Sequence, residues 1–194
     1  MKKAHPTLIV MAKAPIMGRA KTRLARDIGP AHAQRLYRMM MTKVLRQTRD
    51  PRWATIIAAT PTDYIGRVPF WKHYPQMPQS SGNLTPRLAA VFNRKGPTVV
   101  IGTDCPDIET RDIAAAFKAI KKGQAVLGPA DDGGFWLIGF NGPARHDLFE
   151  GVRWSHDKTL EDMKARFKEP VIHLRTLIDV DDRAALKAWK TKNR

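Results

Sequence analysis

Short apolar runs alternate with segments of helical periodicity along most of the chain, and this alternation constrains the fold more than any other feature. Apolar runs of about four to eight residues that are rich in β-branched side chains are typical of buried strands. The predicted strands are residues 7–12, 53–60, 98–101, 125–127, 135–140 and 171–174, and the predicted helices are 30–48, 84–94, 109–122 and 183–190. This order predicts an α/β fold with three layers, in which helices cover both faces of a mainly parallel sheet.

The length and the even composition predict one domain, residues 1–194, because the chain has no internal repeat and no low-complexity linker. No apolar run approaches the roughly 20 residues that a membrane-spanning helix needs. The basic start is followed by an apolar stretch that breaks at Lys13 and Pro15, unlike a secretory signal. We therefore expect a cytoplasmic protein without a membrane span.

The charge balance favours anionic partners, since 34 Lys and Arg against 18 Asp and Glu give a net charge of +16. Nucleic acids, acidic membrane surfaces and phosphorylated small molecules are all anionic partners of this kind. The cations are spread along the chain, however, and aromatic residues are not interleaved with them as stacking on single strands would favour. A non-catalytic nucleic-acid-binding protein is therefore the remote alternative, because it does not explain why acids cluster at the strand ends.

Ligands of parallel sheets bind beyond the carboxyl ends of the strands. The loop after the first predicted strand suits a phosphate group, because it carries four cations and a glycine: Lys13, Gly18, Arg19, Lys21 and Arg23. The run Gly18-x-x-Lys21-Thr22 lacks two glycines of a P-loop, which we therefore reject. The alternative interpretation is a solvated basic turn before a helix.

Asp104 follows the predicted strand 98–101 directly. A carboxylate at that position loses hydration energy unless it is paired, bound to a metal or used to cap a helix. Asp107 is better placed to cap the helix that starts near Glu109, so Asp104 is the sharper candidate for function. Cys105 is predicted to be a packing residue, since no histidine near it in sequence is positioned to activate it.

Further acids follow the later strands. Asp131 and Asp132 lie between two predicted strands, where an Asp-Gly turn alone is also a sufficient explanation. Asp179 and Asp181 alternate on an extended segment, and Asp182 is the simplest N-cap for the last helix. Oxygen ligands of this kind suit Mg²⁺ or Mn²⁺, which bridge carboxylates to the phosphates of a substrate.

Four runs together resemble a known family. They are KAPxxGxxKTRLA at 13–25, GTDCP at 102–106, LGPAxDGG at 127–134 and DVD at 179–181, and they resemble the bacterial DUF2064 proteins. These proteins belong to the glycosyltransferase-A-like members of the nucleotide-diphospho-sugar transferase superfamily, which are related to the guanylyltransferases of molybdopterin and coenzyme F420 biosynthesis. The segment 79–88 is also similar to the family pattern, although Asn83 and Pro86 depart from it.

The resemblance implies a glycosyltransferase-A-like fold and a shared site. The nucleotide-binding residues would be Lys13, Gly18, Arg19, Lys21, Arg23 and Gly82, and Mg²⁺ or Mn²⁺ would be held by Asp104, Asp179 and Asp181. The loop at Gly133 and Gly134 would line the acceptor side, where we also expect Trp154. Asp131 or Asp132 is the catalytic candidate, as a general base for an acceptor hydroxyl.

The leading hypothesis for the reaction is metal-dependent transfer of a glycosyl group from a nucleotide-diphospho-sugar to a small-molecule acceptor. The metal and the cations would stabilise the departing diphosphate. The alternative is a nucleotidyltransferase, in which an anionic substrate attacks the α-phosphate of GTP or CTP and pyrophosphate leaves. The high positive charge favours an anionic acceptor in either case.

Overall fold

One seven-stranded sheet forms the centre of the computed structural model, which describes residues 5–193. The strands are β1 Thr7–Lys13, β2 Ala54–Thr60, β3 Gln76–Pro78, β4 Gly96–Ile101, β5 Ala125–Pro129, β6 Phe135–Gly142 and β7 Val171–His173. Their order in the sheet is β3-β2-β1-β4-β6-β5-β7. Every neighbouring pair is parallel except those that involve β6, which runs antiparallel to β4 and β5. The predicted mainly parallel sheet is thus confirmed.

Helices cover both faces of the sheet. They are α1 Thr22–Ile28, α2 Pro30–Gln47, α3 Leu84–Val91, α4 Thr110–Ile120, α5 Thr159–Arg166 and α6 Arg183–Lys192. The central strand shows why two helical layers are needed, because Leu8 and Val10 enter one hydrophobic core while Ile9 enters the other. All three side chains are fully buried. The three-layer α/β/α architecture follows from this burial on both faces. No helix within residues 5–193 is long and apolar enough to cross a membrane.

Two short helices and one short strand were not predicted. Helix α1 begins after Lys21, which has a left-handed backbone (φ 51°, ψ 48°) and no capping side chain. Helix α5 likewise begins without a side-chain cap at Lys158. Strand β3 ends in a proline and lies at the edge of the sheet, where the loss of one backbone donor is tolerated. The segment before it contains two single-turn 3₁₀ helices, Thr62–Tyr64 and Pro69–Trp71.

The predicted N-cap is confirmed for α6 and wrong for α4. Asp182 caps α6, since its side chain accepts the Ala185 N–H at 2.8 Å, as expected. The expectation that Asp107 caps α4 is wrong. Glu109 is the N-cap of that helix, and its own N–H donates to Asp112 Oδ2 at 2.9 Å. Asp107 instead accepts hydrogen bonds from Trp189 and other donors around α6.

The carboxyl ends of β1, β2, β4 and β5 lie together with the start of antiparallel β6. We call this end of the sheet, where these strands finish, its carboxyl edge. The segment after β7 returns to this edge, because Leu177 pairs with Ala130 and its N–H donates to Pro129 O at 3.1 Å. The Val180 N–H then donates to Asp104 O at 3.0 Å. These backbone contacts bring residues 179–181 beside the loop that follows β4.

Candidate functional site

A single buried lysine meets three carboxylates at the carboxyl edge of the sheet. Lys21 Nζ lies 2.7 Å from Asp104 Oδ1, 3.3 Å from Asp181 Oδ1 and 3.9 Å from Asp179 Oδ1. The Lys21 side chain is only 4% exposed. Burial lowers the pKa of Lys21, but the three carboxylates outweigh this effect and raise it above its ordinary value. The ammonium group therefore stays charged.

The backbone fixes each member of this group. Lys21 directly precedes α1, and Asp104 lies three residues after the end of β4. Asp131 holds residues 179–181 in place, since its Oδ1 accepts the Asp179 N–H at 2.9 Å. The four segments are distant in sequence, so only the topology of the sheet brings these charges together.

Asp179 carries the strongest sign of an unsatisfied charge. Its side chain is 26% exposed, but its Oδ1 atom is buried and accepts no hydrogen bond from the residues that the structure describes. Burial raises the pKa of Asp179 to about 7, and the nearby Asp104 carboxylate adds to the shift while Lys21 opposes it. The neighbouring carboxylates of Asp104 and Asp179, which share the single Lys21 ammonium with Asp181, form a favourable site for a further cation.

The donor set fits a hard divalent cation that also binds substrate. No group of three or more His, Cys, Asp or Glu side chains within residues 5–193 is arranged around a common metal position. Mg²⁺, however, usually binds through one or two carboxylates together with substrate phosphates. Asp104 and Asp179 supply such a pair, and Asp179 Oδ1 accepts no hydrogen bond from the described residues. The chemistry of these carboxylate oxygens therefore fits the Mg²⁺ or Mn²⁺ ion that the sequence predicted.

The loop between β5 and β6 is built largely by turn chemistry. Asp132 Oδ1 accepts the Gly134 N–H at 2.9 Å, and Ala130 N–H donates to Gly134 O at 3.0 Å. Gly133 has φ +84°, and a Cβ atom at this position would lie 2.1 Å from Asp157 O. Backbone packing therefore requires this glycine. The carboxylates of Asp131 and Asp132 both belong to exposed residues at the sheet edge, and their catalytic role stays a prediction.

A cavity of about 290 Å³ opens beside Asp104. Its lining includes Lys13 from the end of β1, Gln79 from beyond β3, Arg87 from α3 and Phe135 from β6. Apolar side chains from the sheet and α3 complete the walls, namely Met11, Leu84, Leu88, Val100, Ile101, Trp136 and Ile138. The cavity therefore combines an apolar body with a few polar groups, as small-molecule sites do.

Tyr37 ties two of these strand ends together. Its hydroxyl donates to Lys13 O at 3.1 Å and lies 3.1 Å from Thr103 Oγ1, while the Lys13 N–H donates to it at 3.3 Å. Burial raises the pKa of Tyr37, so the hydroxyl remains a hydrogen-bond donor. Cys105, next to this contact, is buried with a raised thiol pKa, which agrees with its predicted packing role.

The structure brings together most of the predicted residues but separates others. Arg23 joins the acid cluster, with its NH1 atom 3.4 Å from Asp181 Oδ2, and Lys13 reaches the cavity. Gly18 and Arg19 lie on the exposed loop between β1 and α1. Gly82 precedes α3 with φ +89°, and it does not line the cavity.

Trp154 lies just outside the cavity lining. Its indole packs edge-on against Phe135 with ring centroids 6.3 Å apart, and its Nε1 donates to Thr85 Oγ1 at 2.8 Å. Sequence reasoning did not single out Tyr37, Gln79 or Arg87 as site residues. The only sequence feature that pointed to Gln79 and Arg87 was their position in the segment 79–88, which is similar to the family pattern.

Comparison with known proteins identifies the family. Residues 42–156 match the family described as "Uncharacterized protein conserved in bacteria (DUF2064)". The chain belongs to this family. The resemblance predicted from its four loops is therefore confirmed. No curated protein matches the sequence significantly.

Three solved structures have the same fold. A proposed nucleotide-diphospho-sugar transferase from Desulfovibrio desulfuricans G20 is 26% identical, with a TM-score of 0.86 over 98% of this chain and 88% of that chain. Molybdopterin-guanine dinucleotide biosynthesis protein A from Archaeoglobus fulgidus is 14% identical, with a TM-score of 0.59 over 96% and 98% of the two chains. Rv0371C from Mycobacterium tuberculosis H37Rv, in complex with manganese, is 16% identical, with a TM-score of 0.54 over 95% and 97%. The nucleotide-diphospho-sugar transferase fold is thereby confirmed.

Proposed function

We propose that this protein is a metal-dependent transferase that moves a glycosyl group from a nucleotide-diphospho-sugar to a small-molecule acceptor. One observation carries the proposal: Lys21, Asp104, Asp179 and Asp181 converge at the carboxyl edge of the sheet, beside a cavity. A fixed cation among acids suits a ligand that brings both phosphate groups and a divalent cation. The similarity to the D. desulfuricans protein supports the choice of donor.

The loop between β1 and α1 would hold the diphosphate of the donor. Arg19 is exposed on this loop and Arg23 is exposed in the first turn of α1, and the buried Lys21 ammonium is already charged and positioned. When the bond between the sugar C1 and the diphosphate oxygen breaks, the electron pair stays on that oxygen. Cations fixed in advance stabilise the negative charge that develops there.

Asp104 and Asp179 would hold the metal. Their carboxylates are hard ligands, and the Oδ1 atom of Asp179, which accepts no hydrogen bond from the described residues, would be one of the ligand atoms. A bound Mg²⁺ or Mn²⁺ would act as a Lewis acid on the diphosphate oxygens. The manganese bound by Rv0371C supports this choice of metals.

Asp132 is our candidate for the general base. Its Oδ1 is engaged by the Gly134 N–H, which orients the carboxylate and leaves Oδ2 to accept the proton of an acceptor hydroxyl. The acceptor oxygen would form the new bond to C1 as the diphosphate leaves. Asp131 is better suited to positioning, since its Oδ1 holds the Asp179 N–H.

The first test is calorimetric titration with nucleotide sugars and nucleoside triphosphates, each with and without Mg²⁺ or Mn²⁺. We expect metal-dependent binding that Asp104→Asn weakens by about tenfold or more, since a charged ligand is lost. Asp107→Asn is the matched control, because it removes a charge three residues away without touching the cavity. Equal metal-dependent affinity in wild type and Asp104→Asn would overturn the assignment.

The released product then distinguishes the two reactions. Glycosyl transfer releases a nucleoside diphosphate, whereas nucleotidyl transfer releases pyrophosphate. We expect the diphosphate with a nucleotide-sugar donor and a mixture of candidate acceptors. Release of pyrophosphate from GTP or CTP would instead favour the nucleotidyltransferase.

A further inference from the structure

Arg87 has a partly buried guanidinium group without a carboxylate partner. Arg52, Arg145, Arg153 and Arg175 each form an ion pair with an Asp side chain. Arg87 forms none with the residues that the structure describes, and its buried Nε atom has no hydrogen-bond partner. A partly buried guanidinium with no opposite charge beside it and one buried N–H donor without an acceptor is incompletely satisfied.

Gln79 orients this guanidinium but cannot neutralise it. Gln79 Nε2 donates to Ala58 O at 2.7 Å and lies 3.4 Å from Ala12 O, so the amide is fixed by two strands. Its Oε1 therefore faces α3, where Arg87 NH1 donates to it at 3.4 Å. This long hydrogen bond to a neutral acceptor leaves the positive charge available.

The cavity in front of Arg87 has an excess of positive charge. Two cationic residues, Lys13 and Arg87, line it, against one acid, Asp104. The volume of about 290 Å³ lies at the small end of ligand pockets, so it suits one part of a substrate such as a single sugar ring. Because the cavity reaches Asp104, its occupant would lie at the reacting end of the site.

We propose that the group bound in this cavity carries a carboxylate or a phosphate, held by Arg87. The inference rests on the proposed function, since it concerns the same site, and it narrows the substrate class to an acidic sugar or an acidic acceptor. A guanidinium pairs with either anion through two parallel N–H donors, which a neutral hydroxyl group does not satisfy. Gln79 is the positioning residue that holds the two N–H donors of the Arg87 guanidinium toward the cavity.

The test compares charged and neutral forms of one sugar. Binding of glucuronate, glucose 6-phosphate and glucose is measured by calorimetry at constant ionic strength with wild type, Arg87→Met and Arg87→Lys. We expect one or both acidic sugars to bind wild type more tightly than glucose, and Arg87→Met to weaken that binding by about tenfold or more. Arg87→Lys should recover part of the affinity, because it restores the charge but not the fork. Preference for glucuronate would indicate a carboxylate, and preference for glucose 6-phosphate a phosphate.

Arg166→Met is the matched control. Arg166 also has a buried Nε without a partner, but its NH2 is paired with Asp147 and it does not line the cavity. This variant should lose thermal stability and keep wild-type affinity for the acidic sugars. Arg87→Met should keep a melting temperature close to that of wild type without ligand, because Arg87 forms no ion pair within residues 5–193 and only one long side-chain hydrogen bond.

Three results would overturn the inference. They are binding of glucose as tight as that of both acidic sugars, unchanged binding of the acids by Arg87→Met, and a loss of stability in Arg87→Met without a loss of affinity. Titration with a nucleotide sugar and Mg²⁺ is run in parallel on wild type. A failure of that titration counts against the proposed function, whereas loss of the Arg87 dependence alone counts against this inference.

Discussion

At the scale of single residues, the site consists of charges that compensate each other incompletely. Lys21 is shared among three carboxylates, and Asp179 keeps one oxygen without a hydrogen bond. Arg87, which lines the same cavity as Asp104, forms no ion pair with a carboxylate within residues 5–193, and its Nε has no hydrogen-bond partner there. Groups that are left unsatisfied in the free protein are those that a ligand can satisfy, which is why such positions mark functional sites.

Gly133 illustrates a residue that the backbone itself requires. We expect Gly133→Ala to destabilise the protein by about 3 kcal/mol, because it combines a positive φ with a clash against Asp157 O. Gly151→Ala is the control, since Gly151 has a similar φ of +71° but open space around it, and about 1 kcal/mol is expected there. Urea denaturation measures both. Equal losses would mean that the close approach to Asp157 is relieved by movement of the loop.

Sequence reasoning found the acids of the site but not all of its partners. Asp104 was identifiable because it follows a strand whose carboxyl end belongs to the ligand-binding end of the sheet, and Asp179 and Asp181 because they alternate on an extended segment that resembles the family pattern. The role of Asp131 in holding the Asp179 backbone was not identifiable, since it depends on a contact between loops 48 residues apart. Arg87 was missed for a similar reason, because only the folded chain shows that it lacks a carboxylate.

At the scale of elements, helix α6 is held to the domain by Asp107. Its Oδ1 accepts from Trp189 Nε1 at 2.9 Å and lies 3.0 Å from Lys43 Nζ, and its Oδ2 accepts from Asn193 Nδ2 at 3.2 Å. Burial raises the pKa of Asp107, but these three donors outweigh burial and lower it below the ordinary 3.8. The charged carboxylate therefore stabilises the docked helix.

This arrangement predicts a pH-dependent effect of Asp107→Asn. A carboxylate with a lowered pKa in the folded state contributes stability above its ordinary pKa and loses it as the pH falls through the folded value. We expect Asp107→Asn to cost about 1 kcal/mol near pH 7, and the difference from wild type should shrink below about pH 4. Thermal denaturation from pH 7 to pH 3 measures it, with exposed Asp63→Asn as control. A difference that persists unchanged at pH 3 would contradict the role of the charge.

The elements themselves were predictable to different degrees. The inner strands stand out because both of their faces are buried, which produces continuous apolar runs such as residues 7–12. Helices α1 and α5 have only 7 and 8 residues and begin without capping side chains, so neither periodicity nor a start signal was strong. Tertiary contacts, rather than local preference, stabilise these two helices.

At the scale of the whole molecule, the net charge of +16 favours anionic ligands at long range, and we expect the candidate site to select among them at short range. Exposed Arg19 and Arg23 belong to the long-range field, while buried Lys21 acts by contact. These two contributions respond differently to salt, because screening acts mainly on exposed charges. The dependence of binding affinity on salt concentration therefore distinguishes long-range attraction by exposed charges from direct contacts in the site.

We expect the affinity for inorganic pyrophosphate with Mg²⁺ to fall by about tenfold between roughly 0.1 M and 1 M salt, as the Debye length shrinks from about 10 Å to about 3 Å. Substitution of both Arg19 and Arg23 by Gln should weaken binding at low salt and flatten this dependence. Substitution of both Lys187 and Lys190 by Gln removes the same number of exposed charges from α6 and should leave the dependence close to wild type. If both double variants flattened it equally, the total charge rather than the loop between β1 and α1 would attract the ligand.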